Sequence, residues 1–157
     1  MNRILKMTAF VIGCELVGLA ATPITVGAIP AWYQDLQKPF FAPPNSIFGP
    51  VWTILYGMMG VAAFLVYERR GKKKQVKTAL GFFCAQLVLN FLWSILFFGL
   101  RSPLLGLVDI LALLILIVVT ASRFYPLSPA ASLLLVPYAL WVTFATMLNA
   151  AIFVLNR

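Results

Sequence analysis

The fold of this chain is set by residues 32–56, which read WYQDLQKPFFAPPNSIFGPVWTILY. Three prolines lie within residues 39–44, and because proline lacks an N–H and fixes φ, this part cannot be the interior of a helix. From about Asn45 onward the sequence predicts a helix that carries Trp52 and Tyr56 on one face, since residues four apart are neighbours on a helix. A rigid aromatic loop leading into an aromatic-faced helix predicts a lid over a pocket for a flat, apolar molecule.

The composition around this stretch is that of a membrane protein. Of 157 residues, 62% are hydrophobic and 10% are charged, and the mean hydropathy is +0.98. A soluble domain typically carries about 25% charged residues. Apolar segments near the roughly 20 residues needed to cross a bilayer follow one another along the chain. The five predicted spans are approximately residues 7–29, 46–67, 78–100, 104–122 and 129–154.

The predicted fold class is an all-α integral membrane protein, a five-transmembrane-helix bundle that forms a single domain over residues 1–157. An aromatic, proline-rich lid loop at 30–45 joins the first two helices, and a basic inner loop at 68–77 joins the second to the third. The third and fourth spans are joined by only a few residues, so we expect them to be antiparallel neighbours.

The basic residues predict the topology. The net charge is +8, but six of the twelve lysines and arginines fall within residues 68–77, which is typical of a juxtamembrane loop near anionic lipid and not of a nucleic-acid-binding surface. The positive-inside rule places the N-terminus inside and the lid loop outside. The inner side would then hold nine basic residues, Arg3, Lys6, Arg69, Arg70, Lys72, Lys73, Lys74, Lys77 and Arg123, and the outer side three, Lys38, Arg101 and Arg157.

Residues that build metal centres are scarce. The chain has no histidine, the commonest haem and transition-metal ligand. Cys14 and Cys84 both lie in apolar runs, where buried free thiols are expected. Glu15 is the one acid well inside a span. We therefore expect no metal site and no resident cofactor, although Tyr, Met and Cys side chains remain possible ligands for the iron of a bound haem.

Special side chains of three helices should meet in the outer half of the bundle. At about 1.5 Å of rise per residue, Trp52, Trp93 and Asn90 lie beneath the lid, and Trp141 lies close to mid-depth. The third helix carries Gln86, Asn90 and Ser94 four residues apart. Because polar groups in hydrocarbon must find partners, this stripe is expected to face inward.

A pocket with Trp141 as its floor, Trp52 and Asn90 as walls and Tyr33 as cover would suit a planar aromatic ligand with a few polar edges. Each residue also has a structural interpretation. Asn90 is suited to hydrogen bonding between helices, Trp141 to helix packing, and Trp32 to anchoring at the membrane interface.

Two acids within the spans need an explanation. Asp109 lies about five residues inside the fourth helix, and a structural ion pair with Arg101 across the short turn is expected. Glu15 is about 12 Å deep from the inner surface and has no basic partner in any span. Intramembrane acids are functional candidates, and the alternative is a carboxyl group that is simply protonated.

Three blocks of the sequence resemble the TspO/MBR family, the tryptophan-rich sensory, translocator or peripheral benzodiazepine receptor proteins, in a bacterial-type member. The resemblance covers essentially the whole chain. The blocks are Trp32-Tyr33 with KPFFAPP at 38–44 and the series Phe48, Trp52, Tyr56; LNFLWSILFFGLRSPLLGLVDI at 89–110; and VPYALWVTFATMLN at 136–149.

The resemblance implies a five-helix bundle, commonly a homodimer, with a cavity under the first loop. It implies binding of tetrapyrroles such as protoporphyrin IX and haem, and of isoquinoline carboxamide or benzodiazepine-type ligands. By matching position, Trp52 and Trp141 correspond to the tryptophans associated with porphyrin binding and photo-oxidative degradation, and Tyr33, Asn90 and Ala145 to drug-site positions. The predicted ligand-binding set is Trp32, Tyr33, Pro43, Pro44, Phe48, Trp52, Asn90, Trp93, Trp141 and Ala145.

Three functions follow as hypotheses. The first is a membrane-embedded binding or sensory protein for tetrapyrroles, used in transport, scavenging or regulation and placed in a bacterial cytoplasmic membrane. The second is a light- and oxygen-dependent porphyrin-degrading enzyme with Trp52 and Trp141 as catalytic residues, since no acid–base or nucleophile–base pair supports other chemistry. The third is a small-molecule or sterol transporter. The sterol pattern of animal relatives is missing around Asn149, and LVYER at 65–69 matches it only loosely.

Overall fold

The computed structural model describes residues 2–69 and 72–157, and five segments of them are long and apolar enough to cross a membrane. This confirms the predicted fold class. The last of the five segments consists of two helices, and the third ends in a π-helical turn, Ile95–Gly99. The helices are α1 (Arg3–Ala31), α2 (Asn45–Tyr67), α3 (Lys73–Ser94), α4 (Pro103–Phe124), α5 (Pro129–Leu134) and α6 (Val136–Leu155).

The connections on either side of α2 are shorter than expected. The predicted lid loop at 30–45 is reduced to 32–44, with a 3₁₀ turn at Tyr33–Asp35, because α1 extends to Ala31 and α2 begins at Asn45. The second half of the predicted basic loop at 68–77 is helical, because α3 begins at Lys73. Lysine is a good helix former, and its long side chain reaches the interface from a first helical turn. Arg70 lies outside the described residues.

Prolines and serines set the boundaries of the second half of the chain. Ser102 and Ser128 cap α4 and α5 by accepting hydrogen bonds from backbone N–H groups three residues later, at 3.2 and 3.4 Å, and each is followed by a proline at the first helical position. The fifth span is interrupted at Leu135 between α5 and α6. Pro137 follows closely and has no N–H to donate to the preceding turn.

The π-helical turn directs two rings inward at the end of α3. The Leu100 N–H donates to the Ile95 carbonyl at 2.8 Å, a spacing of five residues. With this wider turn, consecutive Phe97 and Phe98 are both buried, at 2% and 9% exposure. Such turns are frequent at functional sites. Arg101, which follows, has a positive φ of 52° and is exposed.

The basic end of the bundle carries Arg3, Glu68 and Lys72, and the lid end carries the 32–44 loop. Near the basic end, α1 and antiparallel α2 touch backbone to backbone. A Cβ on Gly60 would lie only 2.5 Å from the Val11 Cα. Glycine is thus the residue that permits this contact. Toward the lid end the two helices separate, and the cavity described next lies between them.

Candidate functional site

A cavity of about 420 Å³ lies between the lid-end halves of α1 and α2, within the range of about 300–1,000 Å³ typical of small-molecule sites. Residues of α3, its π-helical turn and α6 form the back wall. Six residues of the predicted ligand-binding set line the cavity, namely Tyr33, Phe48, Trp52, Asn90, Trp93 and Ala145, whereas Trp32, Pro43, Pro44 and Trp141 do not.

The mouth of the cavity is a lateral gap between two helices. Leu19 and Val26 of α1 line the cavity and are also 63% and 58% exposed. Gly49 and Thr53 of α2 line it and are exposed as well. Because these residues face both the cavity and the outside of the bundle, the opening lies on the flank of the protein. In a membrane that flank faces lipid.

A buried hydrogen-bonded chain closes the cavity toward the basic end. The Tyr56 hydroxyl donates to the Asn90 Oδ1, the Asn90 Nδ2 donates to the Tyr138 hydroxyl at 2.9 Å, and that hydroxyl donates to the Gln86 Oε1 at 2.8 Å. The chain joins α2, α3 and α6. With Ser94 also buried, the inward-facing polar stripe of α3 is confirmed. Asn90 therefore ties helices together and also faces the cavity.

The back wall is a stack of rings. The Trp93 and Phe97 rings are nearly parallel, with centroids 5.0 Å apart and planes at 17°. The Trp93 Nε1 donates to the Asn149 Oδ1 at 3.1 Å, and the Asn149 Nδ2 donates to the Pro103 carbonyl at 2.8 Å. Because its amide is held at both ends, Asn149 fixes the plane of the Trp93 indole against the cavity.

Trp141 does not form the floor that the sequence analysis assigned to it. Its ring packs edge-on against Phe48, with centroids 5.8 Å apart, and at a tilt of 40° against Phe144, with centroids 5.6 Å apart. Trp141 lies one helical turn from Ala145 toward the basic end. Phe48 of α2, and not Trp141, contributes to the cavity surface. The Trp141 Nε1 is buried and has no hydrogen-bond partner among the described residues. The basic-end limit of the cavity is formed instead by Glu15, Gly18 and Tyr56.

The lid is fixed to the bundle by aromatic and amide contacts. Tyr33 is 5% exposed and packs against Phe98 at 5.6 Å, and burial raises the pKa of its hydroxyl, so the phenol stays neutral at physiological pH. The Gln37 N–H donates to the Asn156 Oδ1, and the Asn156 Nδ2 donates back to the Gln37 carbonyl, both at 2.9 Å. Trp32 contacts Phe97 edge-on at 5.6 Å. Trp32 thus belongs to the frame of the lid.

The prediction of an ion pair between Asp109 and Arg101 is wrong. Arg101 lies exposed in its left-handed turn, whereas Asp109 is 6% exposed, and its Oδ2 has no hydrogen-bond partner in the described part of the chain. The single ion pair within residues 2–69 and 72–157 joins Arg3 to Glu68 at 2.9 Å and ties α1 to the end of α2. These ranges contain no cluster of three or more potential metal-ligating His, Cys, Asp or Glu residues.

The contribution of α1 to the cavity was missed by the sequence analysis. Gly18, Thr22 and Thr25 face the cavity together with Glu15. The available signal was their spacing, since residues 15, 18, 22 and 25 fall on one helical face. That face pairs small and polar residues on a span that is otherwise apolar, a pattern that sequence alone does not distinguish from a helix–helix contact.

Known proteins resemble this chain over most of its length. The model described as the TspO/MBR family matches residues 10–155. The chain is 46% identical to the "Tryptophan-rich protein TspO" of Archaeoglobus fulgidus over 154 residues, 98% of this chain and 99% of the relative. It is 39% identical to the "Translocator protein" of Bos taurus over 136 residues, 86% and 80% of the two chains. Its identity to the "Tryptophan-rich sensory protein" of Cereibacter sphaeroides is 37% over 130 residues, 81% and 80%.

Proposed function

This chain belongs to the TspO/MBR family and is a multi-pass integral membrane protein, and on that premise we propose that it binds porphyrins and related tetrapyrroles, such as protoporphyrin IX and haem, within the membrane. The observation that carries the proposal is a cavity lined by flat aromatic rings that opens on the flank of the bundle. Transport, scavenging or regulation of tetrapyrroles is its cellular use.

The chemistry of the cavity suits a planar apolar ligand. Phe48, Trp52 and Trp93 present ring surfaces from α2 and α3, and aromatic pairs of this kind contribute about 0.5–1.5 kcal/mol each beyond the area they bury. The lateral mouth allows a ligand dissolved in lipid to enter without crossing water. The same features suit isoquinoline carboxamide or benzodiazepine-type ligands, which the family resemblance implies.

The proposal includes a topology and an assembly. The N-terminus is inside a bacterial cytoplasmic membrane and the lid outside, because nine of the twelve basic residues fall on the side of the N-terminus. The assembly is a homodimer, as the family resemblance implies. Cysteines introduced at the exposed ends of the bundle and labelled from one side of intact cells would test the topology.

The first test is a titration with protoporphyrin IX in the dark, followed by tryptophan quenching. Saturable binding near micromolar affinity, about −8 kcal/mol, is expected. Trp52→Phe removes a cavity-lining indole and should weaken binding by about three- to tenfold. Trp141→Phe is the matched control, because that indole does not line the cavity and its loss should change affinity little. Absence of saturable binding would refute the proposal, and a larger effect of Trp141→Phe would refute the assignment to this cavity.

A second candidate is light- and oxygen-dependent degradation of the bound porphyrin. It is favoured by the position of Trp52 on the cavity wall, where its indole can donate an electron to a photoexcited porphyrin while O₂ serves as the oxidant. Trp141, the other tryptophan of this hypothesis, does not line the cavity and packs edge-on against Phe48, which does. Illumination should bleach the porphyrin with wild-type protein and not with Trp52→Phe if this enzyme activity exists. Bleaching at equal rates in both would leave binding alone.

Transport is the third candidate. Five spans do not allow the three-plus-three inverted repeat of many secondary transporters, so alternating access would require a dimer. Counterflow of labelled porphyrin in sealed vesicles, present with wild type and absent with empty vesicles, is the result expected of a transporter. The same assay with a labelled sterol would test the sterol alternative.

A further inference from the structure

The wall of the cavity formed by α1 and α2 presents hydrogen-bond acceptors. Thr22, Thr25 and Thr53 all line the cavity, and each hydroxyl donates to the backbone carbonyl four residues earlier in its own helix, at 3.0, 3.3 and 3.1 Å. A hydroxyl has one proton to donate and lone pairs to accept. With their protons committed to the helix backbone, these three oxygens can only accept from a ligand.

Glu15 adds a carboxyl group at the deep end of the same wall. A Cβ placed on Gly57 would lie 3.7 Å from the Glu15 Oε1, so the carboxyl group lies against the backbone of α2, and the glycine leaves room for it. Glu15 lies twelve residues beyond Arg3 on α1, about 18 Å at the helical rise per residue. It makes no hydrogen bond or ion pair with any residue of 2–69 or 72–157.

A Glu15 carboxylate in this position would have no positively charged partner among the described residues. Burying an unpaired charge in apolar surroundings is costly, and the apolar part of the wall is made by Leu19, Val26 and Phe48. A cation brought by a ligand would provide the missing charge, in surroundings where attraction between opposite charges is stronger than in water. The α1–α2 wall thus offers hydrogen-bond acceptors and an acid, and the aromatic side chains offer flat ring surfaces. These features favour a ligand that joins a protonated amine to an aromatic ring system.

We propose that the cavity is a binding site for lipophilic aromatic amines, whose protonated amine is held by Glu15, while the accepting hydroxyls of Thr22 and Thr53 lie further toward the lid end of the same wall. The amine points to the basic end, and the aromatic body lies against Trp52 and Phe48. This site goes beyond tetrapyrrole binding and does not require it. It also sets an orientation: an acidic tetrapyrrole in the cavity keeps its carboxylates at the lid end, away from Glu15.

The test uses three probes that share one flat body: 1-pyrenemethylamine, 1-pyrenemethanol and 1-pyrenecarboxylate. Energy transfer from tryptophan to pyrene reports binding to the protein in phosphatidylcholine nanodiscs, with empty nanodiscs as the blank for partitioning into lipid. Wild type should bind the amine at least about tenfold more tightly than the alcohol, the value of a hydrogen bond to a charged group. The carboxylate should bind most weakly.

Glu15→Gln should remove the preference for the amine and keep the affinity for the alcohol, which reports that the cavity is intact. Asp35→Asn, which removes an exposed carboxylate of the lid, is the control and should keep the preference. A preference that survives in Glu15→Gln overturns the proposal. Should that variant fail to fold, the wild-type order decides, because an amine that binds no more tightly than the alcohol overturns the proposal by itself.

The outcome is separable from that of the porphyrin titration. Discrimination among the pyrene probes without porphyrin binding would refute the proposed function and keep the amine site. Porphyrin binding without discrimination would do the reverse. A carboxylate probe that binds as tightly as the amine would also contradict the orientation assigned to acidic tetrapyrroles.

Discussion

The two halves of the α1–α2 pair differ in a way that explains how a small bundle holds a cavity. Near the basic end, Gly60 lets the two backbones touch at Val11, and Met59 and Ala62 are completely buried. Near the lid end the same helices part, and their threonines face the cavity. The helices are closely packed in the half near the basic end and separated by the cavity in the half near the lid end. The close packing depends on the small residue at position 60.

Gly60→Leu should have the largest effect, because its Cβ would lie 2.5 Å from the Val11 Cα and 2.9 Å from the Phe10 carbonyl oxygen. Backbone atoms cannot yield as a flexible side chain can, so α1 must move away. Overpacking of this kind costs about 3 kcal/mol. The loss appears as a lower free energy of unfolding, measured by reversible titration with a denaturing detergent. Gly81→Leu on α3 is the control, since nothing lies within 4 Å of the position of its Cβ. Equal midpoints for the two variants would contradict the close contact.

Asn90→Leu should have the next largest effect, because it leaves the buried Tyr56 and Tyr138 hydroxyls without their shared partner. A lost buried hydrogen bond costs about 1–3 kcal/mol in water-soluble proteins, and about 0.6 kcal/mol on average in membranes. We expect about 1–2 kcal/mol by the same detergent titration. In a double-mutant cycle with Tyr138→Phe the losses should be less than additive. Strict additivity would show that the two side chains do not act as a unit.

Gly49→Leu should separate stability from binding. Gly49 lines the mouth, and its Cβ would meet nothing within 4 Å, so unfolding should be unchanged or slightly harder, by about 0.5–1 kcal/mol from helix propensity. Ligand affinity should nevertheless fall, because the new side chain enters the lateral gap. The titration with 1-pyrenemethanol in nanodiscs measures this. If Gly49→Leu lowered the free energy of unfolding as much as Gly60→Leu, the two halves of the α1–α2 pair would not differ in how closely they pack.

Asn156→Ala should have the smallest effect on unfolding, because it releases only the two hydrogen bonds that hold Gln37 in the lid and one to the Ile152 carbonyl of its own helix. We expect faster hydrogen–deuterium exchange in residues 33–42, with a free energy of unfolding that changes by less than about 1 kcal/mol. Arg157→Ala changes the adjacent exposed residue and should leave exchange as in wild type. Unaltered exchange in Asn156→Ala would show that the aromatic contacts of Tyr33 alone hold the lid.

Sequence reasoning predicted the features that follow from periodicity and failed where a second helix intervenes. Gln86 and Asn90 face inward, because four-residue spacing places them on one face whatever surrounds it. Trp141 was placed correctly on α6, but whether it reaches the cavity depends on Phe48, a residue of another helix. The pairing of Asp109 with Arg101 failed because the positive φ of Arg101 is a property of the turn geometry that no local pattern predicted.

The role of α1 was equally hidden. Apart from Glu15, its residues are ordinary for a membrane helix, and only the separation of α1 from α2 turns Thr22 and Thr25 into cavity residues. That separation begins beyond Gly18, where the ring of Tyr56 occupies the space that a side chain would need. A single bulky ring against a glycine thus marks the point at which the contact ends.

The lateral mouth determines which ligand concentration sets the occupancy of the cavity. A ligand that enters through the flank is in equilibrium with the bilayer, so its mole fraction among the lipids sets the occupancy of the site. Two cells with the same total amount of a hydrophobic compound but different membrane area would then have different occupancies. An affinity expressed per litre should shift with the amount of lipid in the assay, while one expressed per lipid molecule should stay constant.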